Sequence, residues 1–163
     1  MTRRLRRSAR IFLFDEGSGD LLLIRFVAQR KDGPFTCWVT PGGEVEPHET
    51  DLATATRELD EELGLSLTLH GPVHEETGGT YEHLGEVVEN YDVFYTAFCG
   101  RQDPTLRGVT ADEIALMREA RWWTLAELRS TSELIFPPQI AELADKAYKA
   151  LRSGQFRPHE SEI

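Results

Sequence analysis

Two apolar runs open the chain, ARIFLFD and LLLIRFV, with EGSG between them. Such runs separated by glycines predict an antiparallel hairpin. TCWVT follows as a third short strand, which PGG stops. Pro41 cannot donate a ladder hydrogen bond, and Gly42 and Gly43 reach backbone angles closed to other residues. The period then changes. In TDLATATRELDEELG the apolar residues Leu52, Ala55, Leu59 and Leu63 recur every three or four positions and predict a helix that buries that stripe. Thr50 is placed as its N-cap, Asp51 lies at the positive end of the helix dipole, and Gly64 is placed as the left-handed residue after the last turn.

From Leu65 the pattern reads as strands again: LSLTLHGPVHEE, GTYEHLG and EVVENYDVFYTAFC are rich in β-branched and aromatic residues. GRQDPTLRGVTADE is a polar loop. ARWWTL predicts the last strand, leading into a short helix whose Thr124 and Glu127 fit a capping box. A C-terminal helix over PPQIAELADKAYKALRSG has Ile140, Leu143, Ala144, Ala147 and Leu151 on one face, and Gly154 ends it. Strands, helix, strands, helix predict a mixed sheet with helices packed on it, an α/β or α+β layered domain. The expected organisation is a basic, solvated N-terminal tail over residues 1–8, a single domain over 9–154 and a frayed tail over 155–163.

Composition narrows the classes. The 163 residues are 40% apolar and 28% charged, ordinary for a soluble globular domain. No apolar run approaches the length of a membrane span, and the basic N-terminus lacks the apolar core and cleavage site of a signal peptide. A net charge of −10 repels a nucleic-acid backbone, while a small phosphorylated ligand remains compatible if cations screen its site. The expected partners are therefore neither nucleic acid nor membrane. Cys37 and Cys99 form no CxxC pair, so neither a zinc site nor a disulfide framework is indicated, and a reducing cytoplasm fits best.

One stretch departs from this ordinary picture. RELDEELG crowds Glu58, Asp60, Glu61 and Glu62 behind a single cation, Arg57. At about 100° per residue, Glu58, Glu61 and Glu62 fall within an arc of roughly 100°, while Asp60 points away. Like charges at this spacing cost only about 0.2–0.5 kcal/mol per pair. An exposed acidic face and a seat for a hard divalent cation, which prefers oxygen ligands, are both open on the helix alone.

The residues before the helix decide between them. Gly43, five residues, Glu49, seven residues, Arg57-Glu58-Leu59, one residue, Glu61-Glu62, one residue and Gly64-Leu65 resemble the Nudix box at all nine of its specified positions. WVTPGG before it and RWWTLAEL after it are also similar to the family, so the resemblance runs from about Arg10 to Leu151. It implies an α-β-α sandwich with a central mixed sheet flanked by helices. It also implies Mg²⁺- or Mn²⁺-dependent hydrolysis of a nucleoside diphosphate linked to another group. On that resemblance the metal ligands are Glu58, Glu61 and Glu62, with the Gly43 carbonyl in addition. The general base is Glu61 or Glu62, with Glu61 preferred. Arg57 orients the glutamates and Glu49 holds the loop. A further carboxylate from a later loop is Glu113 first, Glu119 second. His48 stands where glycine is frequent in the family. Tyr81 resembles the marker of dinucleoside-polyphosphate members, and Phe35, Trp38, Phe94 and Trp122 are the other aromatics available to a base. Dimers are common in the family, so a homodimer is an expectation. The rival reading is a nucleotide-binding sensor domain without hydrolysis, against which the complete box speaks.

Overall fold

The first strand, β1 (Thr2–Asp15), organises the molecule because successive side chains enter opposite layers. Ala9, Ile11 and Leu13 point into one apolar cluster, Phe12 and Phe14 into another, and all five are at most 1% exposed. A strand buried on both faces reads as a continuous apolar run, which is why ARIFLFD shows no alternation. The computed structural model describes residues 2–30, 33–83, 85–101 and 117–155.

After β1 come β2 (Leu21–Arg30), β3 (Gly33–Val39), β4 (Gly42–Glu44), α1 (Asp51–Leu63), β5 (His70–His83) and β6 (Glu86–Cys99). The chain continues with β7 (Met117–Trp123), α2 (Leu125–Ser130), β8 (Ile135–Phe136) and α3 (Ile140–Arg152). The mixed sheet runs β5-β6-β1-β2-β3-β8, with β4 alongside β1 and β7 alongside β2. β1 lies parallel to β6 from Thr2↔Glu86 to Asp15↔Cys99. It meets β2 in the hairpin pair Phe14↔Leu21, beyond which β1 pairs instead with β4. The sheet therefore splays from the hairpin into two halves, one led by β1 and β6, the other by β2, β3 and β7.

One helix layer covers each face. α1 packs through Ala55 and Leu59 on Ile11, Leu13, Leu22, Val93 and Trp122. α3 packs through Ile140, Ala141, Ala144 and Ala147 on Phe12, Phe14, Leu23, Trp38 and Trp123. Trp38 and Trp123 meet edge to face, with centroids 5.1 Å apart. The expected α+β sandwich with a mixed central sheet is the fold observed.

Several details differ from expectation. Residues Thr2 to Ser8, expected as a solvated tail, are strand: their backbone follows β6, and their arginines meet Glu44, Glu86, Glu89 and Asp51. A count of basic residues cannot reveal that acidic partners wait on neighbouring strands. HGPVHEE and GTYEHLG, expected as separate strands, form the single β5, broken only in register near His70/His74 and Thr77/Gly79. ARWWTL is not the last strand, because β8 follows, too short to leave a pattern. Leu52, expected in the buried stripe of α1, is 46% exposed, and Glu62 takes an inner position at 7%. The polar loop after β6, with Glu113 in it, and residues 156–163 of the C-terminal tail lie outside the described residues.

Candidate active site

The chain leaves β3 through Thr40 and Pro41 and returns to β1 as β4, pairing Arg10↔Gly42, Ala9↔Gly43 and Ser8↔Glu44. Backbone contact requires glycine at 42, and at 43 the absent side chain leaves room for a neighbouring carboxylate. A Cβ on Gly42, whose φ is 144°, would lie 2.3 Å from the Ala9 carbonyl oxygen. One on Gly43 would lie 2.4 Å from Glu58 Oε1, so the missing side chain is what admits that carboxylate to the backbone.

The loop from Val45 to Thr50 is tied by Glu49. Its Oε1 accepts from Glu46 N at 3.1 Å and from Thr54 Oγ1 at 2.6 Å. His48 holds φ 71°, the left-handed region that glycine enters without cost and a histidine enters with strain. Thr50 then caps α1 by accepting from Ala53 N, and Gly64, at φ 67°, closes it with a bond to Asp60 O.

Arg57 is the hub. Its Nε and Nη2 donate to the two oxygens of Glu49 at 2.7 and 3.0 Å, a bidentate fork. Nη1 donates to Glu58 Oε1 at 3.0 Å and to Glu61 Oε2 at 3.1 Å, and Nη2 also reaches Glu44 O at 3.4 Å. These bonds, the Glu49 fork foremost, hold the guanidinium more firmly protonated than usual. The same fork, with the Thr54 hydroxyl, draws the Glu49 carboxyl down to about 2. Glu62 turns inward and accepts from Gly42 N at 2.8 Å. Glu61 is the open member, with a side chain 48% exposed, against 17% for Glu58.

The structure thus brings Gly43, Glu49, Arg57, Glu58, Glu61 and Glu62 to one edge, and Asp60 faces solvent. The carboxylates are spread along the edge, and among the described residues no three acidic, histidine or cysteine side chains close into a ready metal cage. Arg57 Nη1 lies between Glu58 and Glu61, and Gly42 engages Glu62. Glu119 does not join them: it lies exposed on β7 opposite Arg25, and among the described residues it forms no hydrogen bond or ion pair. Missed from the sequence was Arg7, whose Nε and Nη2 clasp both oxygens of Asp51 at 2.7 Å and pin the first turn of α1 to β1. Its place in a basic run hid it.

The Glu49 carboxyl gives a pH signature. It binds its proton more weakly in the folded chain, at about 2, than at the ordinary value of 4.5. The stability it contributes is therefore complete above about 4.5 and is lost as pH falls towards 2. Thermal melts of the wild type and Glu49→Gln should differ by a constant gap above about pH 5, and the gap should shrink below it. A gap that does not change between pH 7 and 3 would contradict the assignment.

A mixed sheet thus lies between two helix layers, and its glycine turn feeds an arginine-tied row of glutamates. A family model described as NUDIX domain matches residues 4–149, and the chain belongs to that family. A comparison with curated proteins gave no match. Among solved structures it is similar to a MutT protein from Methanosarcina mazei Go1, at 18% identity and TM-score 0.61, covering 93% of this chain and 98% of that one. It is also similar to the E. coli dihydroneopterin triphosphate pyrophosphohydrolase, at 18% identity and TM-score 0.60, over 88% and 92% of the two chains. A C. elegans Ap4A hydrolase matches at 19% identity and TM-score 0.55, over 93% and 98%. Among the described residues no helix is long and apolar enough to cross a membrane.

Proposed function

We propose that the protein is a Mg²⁺-dependent pyrophosphohydrolase that cleaves the diphosphate of a nucleoside diphosphate joined to another group, with Mn²⁺ as the alternative cation. The observation that carries this reading is the Arg57–Glu49 fork, which holds Glu58 and Glu61 in a row beside the Gly42–Gly43 backbone that Glu62 also grips. The donor set fits a hard cation: every side-chain group is a carboxylate oxygen, and Gly43 leaves room for a carboxylate against the backbone. Glu58, Glu61, Glu62 and the Gly43 carbonyl would hold it. A cation held there would supply positive charge against the diphosphate and lower the pKa of a bound water.

The chain's own residues do the rest. Arg57 fixes the carboxylate positions without being spent on substrate, since its N–H groups already bond Glu49, Glu58, Glu61 and Glu44. Glu61 is the proposed base, because the most exposed carboxylate of the row can reach water. Glu113 remains a proposed additional ligand. The neighbouring folds are named for Ap4A and dihydroneopterin triphosphate, which gives the substrate panel its breadth.

The test is a hydrolysis screen over nucleoside triphosphates, oxidised triphosphates, dinucleoside polyphosphates, dihydroneopterin triphosphate and nucleotide sugars, with Mg²⁺, Mn²⁺ or EDTA. Turnover of at least one class, abolished by EDTA, is expected. Saturable binding with no product in either metal would favour a sensor over an enzyme.

A further inference from the structure

Among the described residues, six buried side-chain polar atoms have no hydrogen-bond partner: Ser8 Oγ, Arg25 Nε, Trp38 Nε1, Thr40 Oγ1, Asn90 Oδ1 and Trp123 Nε1. Their placement is one-sided. Trp38 and Trp123 belong to the cluster under α3, with Phe12, Leu23 and Phe94. Ser8, Arg25 and Asn90 stand an even number of residues from Phe12, Leu23 and Phe94 on β1, β2 and β6, so they share that face. Thr40 stands two beyond Trp38, and the β1–β4 register, continued past Arg10↔Gly42, sets it opposite Phe12. All six therefore lie on the face of the sheet turned away from α1, with Arg25, Trp38 and Thr40 grouped along β2, β3 and the turn after β3. Orphaned buried polar atoms are rare, and each calls for a partner.

Two cations flank this strip. Arg25 is the cross-strand partner of Trp38. Arg10, with a side chain 19% exposed, donates Nη1 to Thr40 O at 2.9 Å and forms a long ion pair with Asp92 at 3.8 Å, which leaves most of its N–H groups without a hydrogen bond among the described residues. Of the five N–H donors of a guanidinium, Arg10 spends one among the described residues. Arg10 is also the register partner of Gly42, whose N–H is held by Glu62. One glycine backbone unit thus stands between Arg10 and the carboxylate row.

We propose that Arg10 and Arg25 are substrate-binding residues that grip phosphate oxygens of the substrate on the side turned away from the glutamates, along the Trp38–Thr40 strip. The face is rich in donors: two guanidiniums, an indole N–H and two hydroxyls stand on the same side of the sheet, a set that suits phosphate oxygens, which are acceptors on every side. It answers the charge difficulty of a chain at −10, since an anion must be held beside a row of carboxylates. The inference rests on the pyrophosphohydrolase reading for what the substrate is, but its test reads binding separately from turnover.

The experiment measures the affinity of the full chain for ADP and GDP by titration calorimetry, in Mg²⁺ and again in EDTA, for wild type, Arg10→Met and Arg25→Met. Each variant should bind about tenfold or more weakly, and KM for any substrate the wild type hydrolyses should rise in step, with kcat within about threefold. Arg10→Lys and Arg25→Lys, which keep the charge and lose the fork, should fall between, and they carry the test if a methionine variant does not fold. Affinities and KM values within about twofold of wild type, or no nucleotide binding by the wild type, overturn the proposal. Hydrolysis with unaltered variants would leave the enzyme reading standing without this site. Arginine-dependent binding without hydrolysis would do the reverse.

Discussion

Glu62→Gln should fold like the wild type and lose activity by about 10²–10⁴-fold. Glu62 is 7% exposed, and its Oε1 accepts from Gly42 N at 2.8 Å. A glutamine carbonyl can accept the same bond, so the loop keeps its anchor and the melting temperature should move by no more than a few degrees. What disappears is a full negative charge at the point where α1 meets the glycine turn. If the proposed cation is seated by Glu58, Glu61 and Glu62, its affinity falls with that charge, and titration with Mg²⁺ should show half-saturation moved to higher concentration. Activity retained at the wild-type level would make Glu62 a loop anchor and reduce the carboxylate row to Glu58 and Glu61.

Arg57→Lys should be nearly as damaging although it preserves the charge. The guanidinium reaches Glu49 through two N–H groups and Glu58 and Glu61 through a third, in one plane. An ammonium is a point charge on a flexible stem and cannot reproduce that fork. With lysine, Glu49 loses its bidentate partner, the loop from Val45 to Thr50 loosens, and Glu58 and Glu61 lose their common tie. Outer residues that orient ligands are typically worth about 10–100-fold in activity or metal affinity, and a loss in that range is expected, with kcat affected more than KM. The stability cost should be modest, about 1–3 kcal/mol, because the network is only half buried. Full activity in Arg57→Lys would show that the carboxylates hold their places without the fork.

Much of the local structure was legible because it depends on near neighbours. Thr50 and Gly64 bound α1 as expected, and Thr124 and Glu127 exchange the bonds of a capping box at α2. The hairpin of β1 and β2 and the helical face of α3 follow the apolar pattern. The failures share a different cause. Leu52 was assigned inward by periodicity alone, which cannot foresee that Gly42, twenty residues before Glu62, would draw a glutamate into the inner face. The arginines of β1 read as a solvated tail because their partners, Glu86, Glu89, Glu44 and Asp51, lie in other elements. The two-residue β8 offers too little chain for any period to register.

By itself the sequence determined the β1–β2 hairpin, the three helices, the caps of α1 and the spacing that sets Gly43, Glu49, Arg57, Glu58, Glu61 and Glu62 along one loop and helix. Spacing within a helix fixes angles, and caps act over three or four residues, so these are properties of local chain. Only the tertiary structure decided which carboxylate turns inward, that Arg57 spends its donors on other side chains, and that Arg10 backs the glycine turn from the opposite face of the sheet. Those depend on strands brought together across the chain, where pairing register rather than sequence distance sets who meets whom.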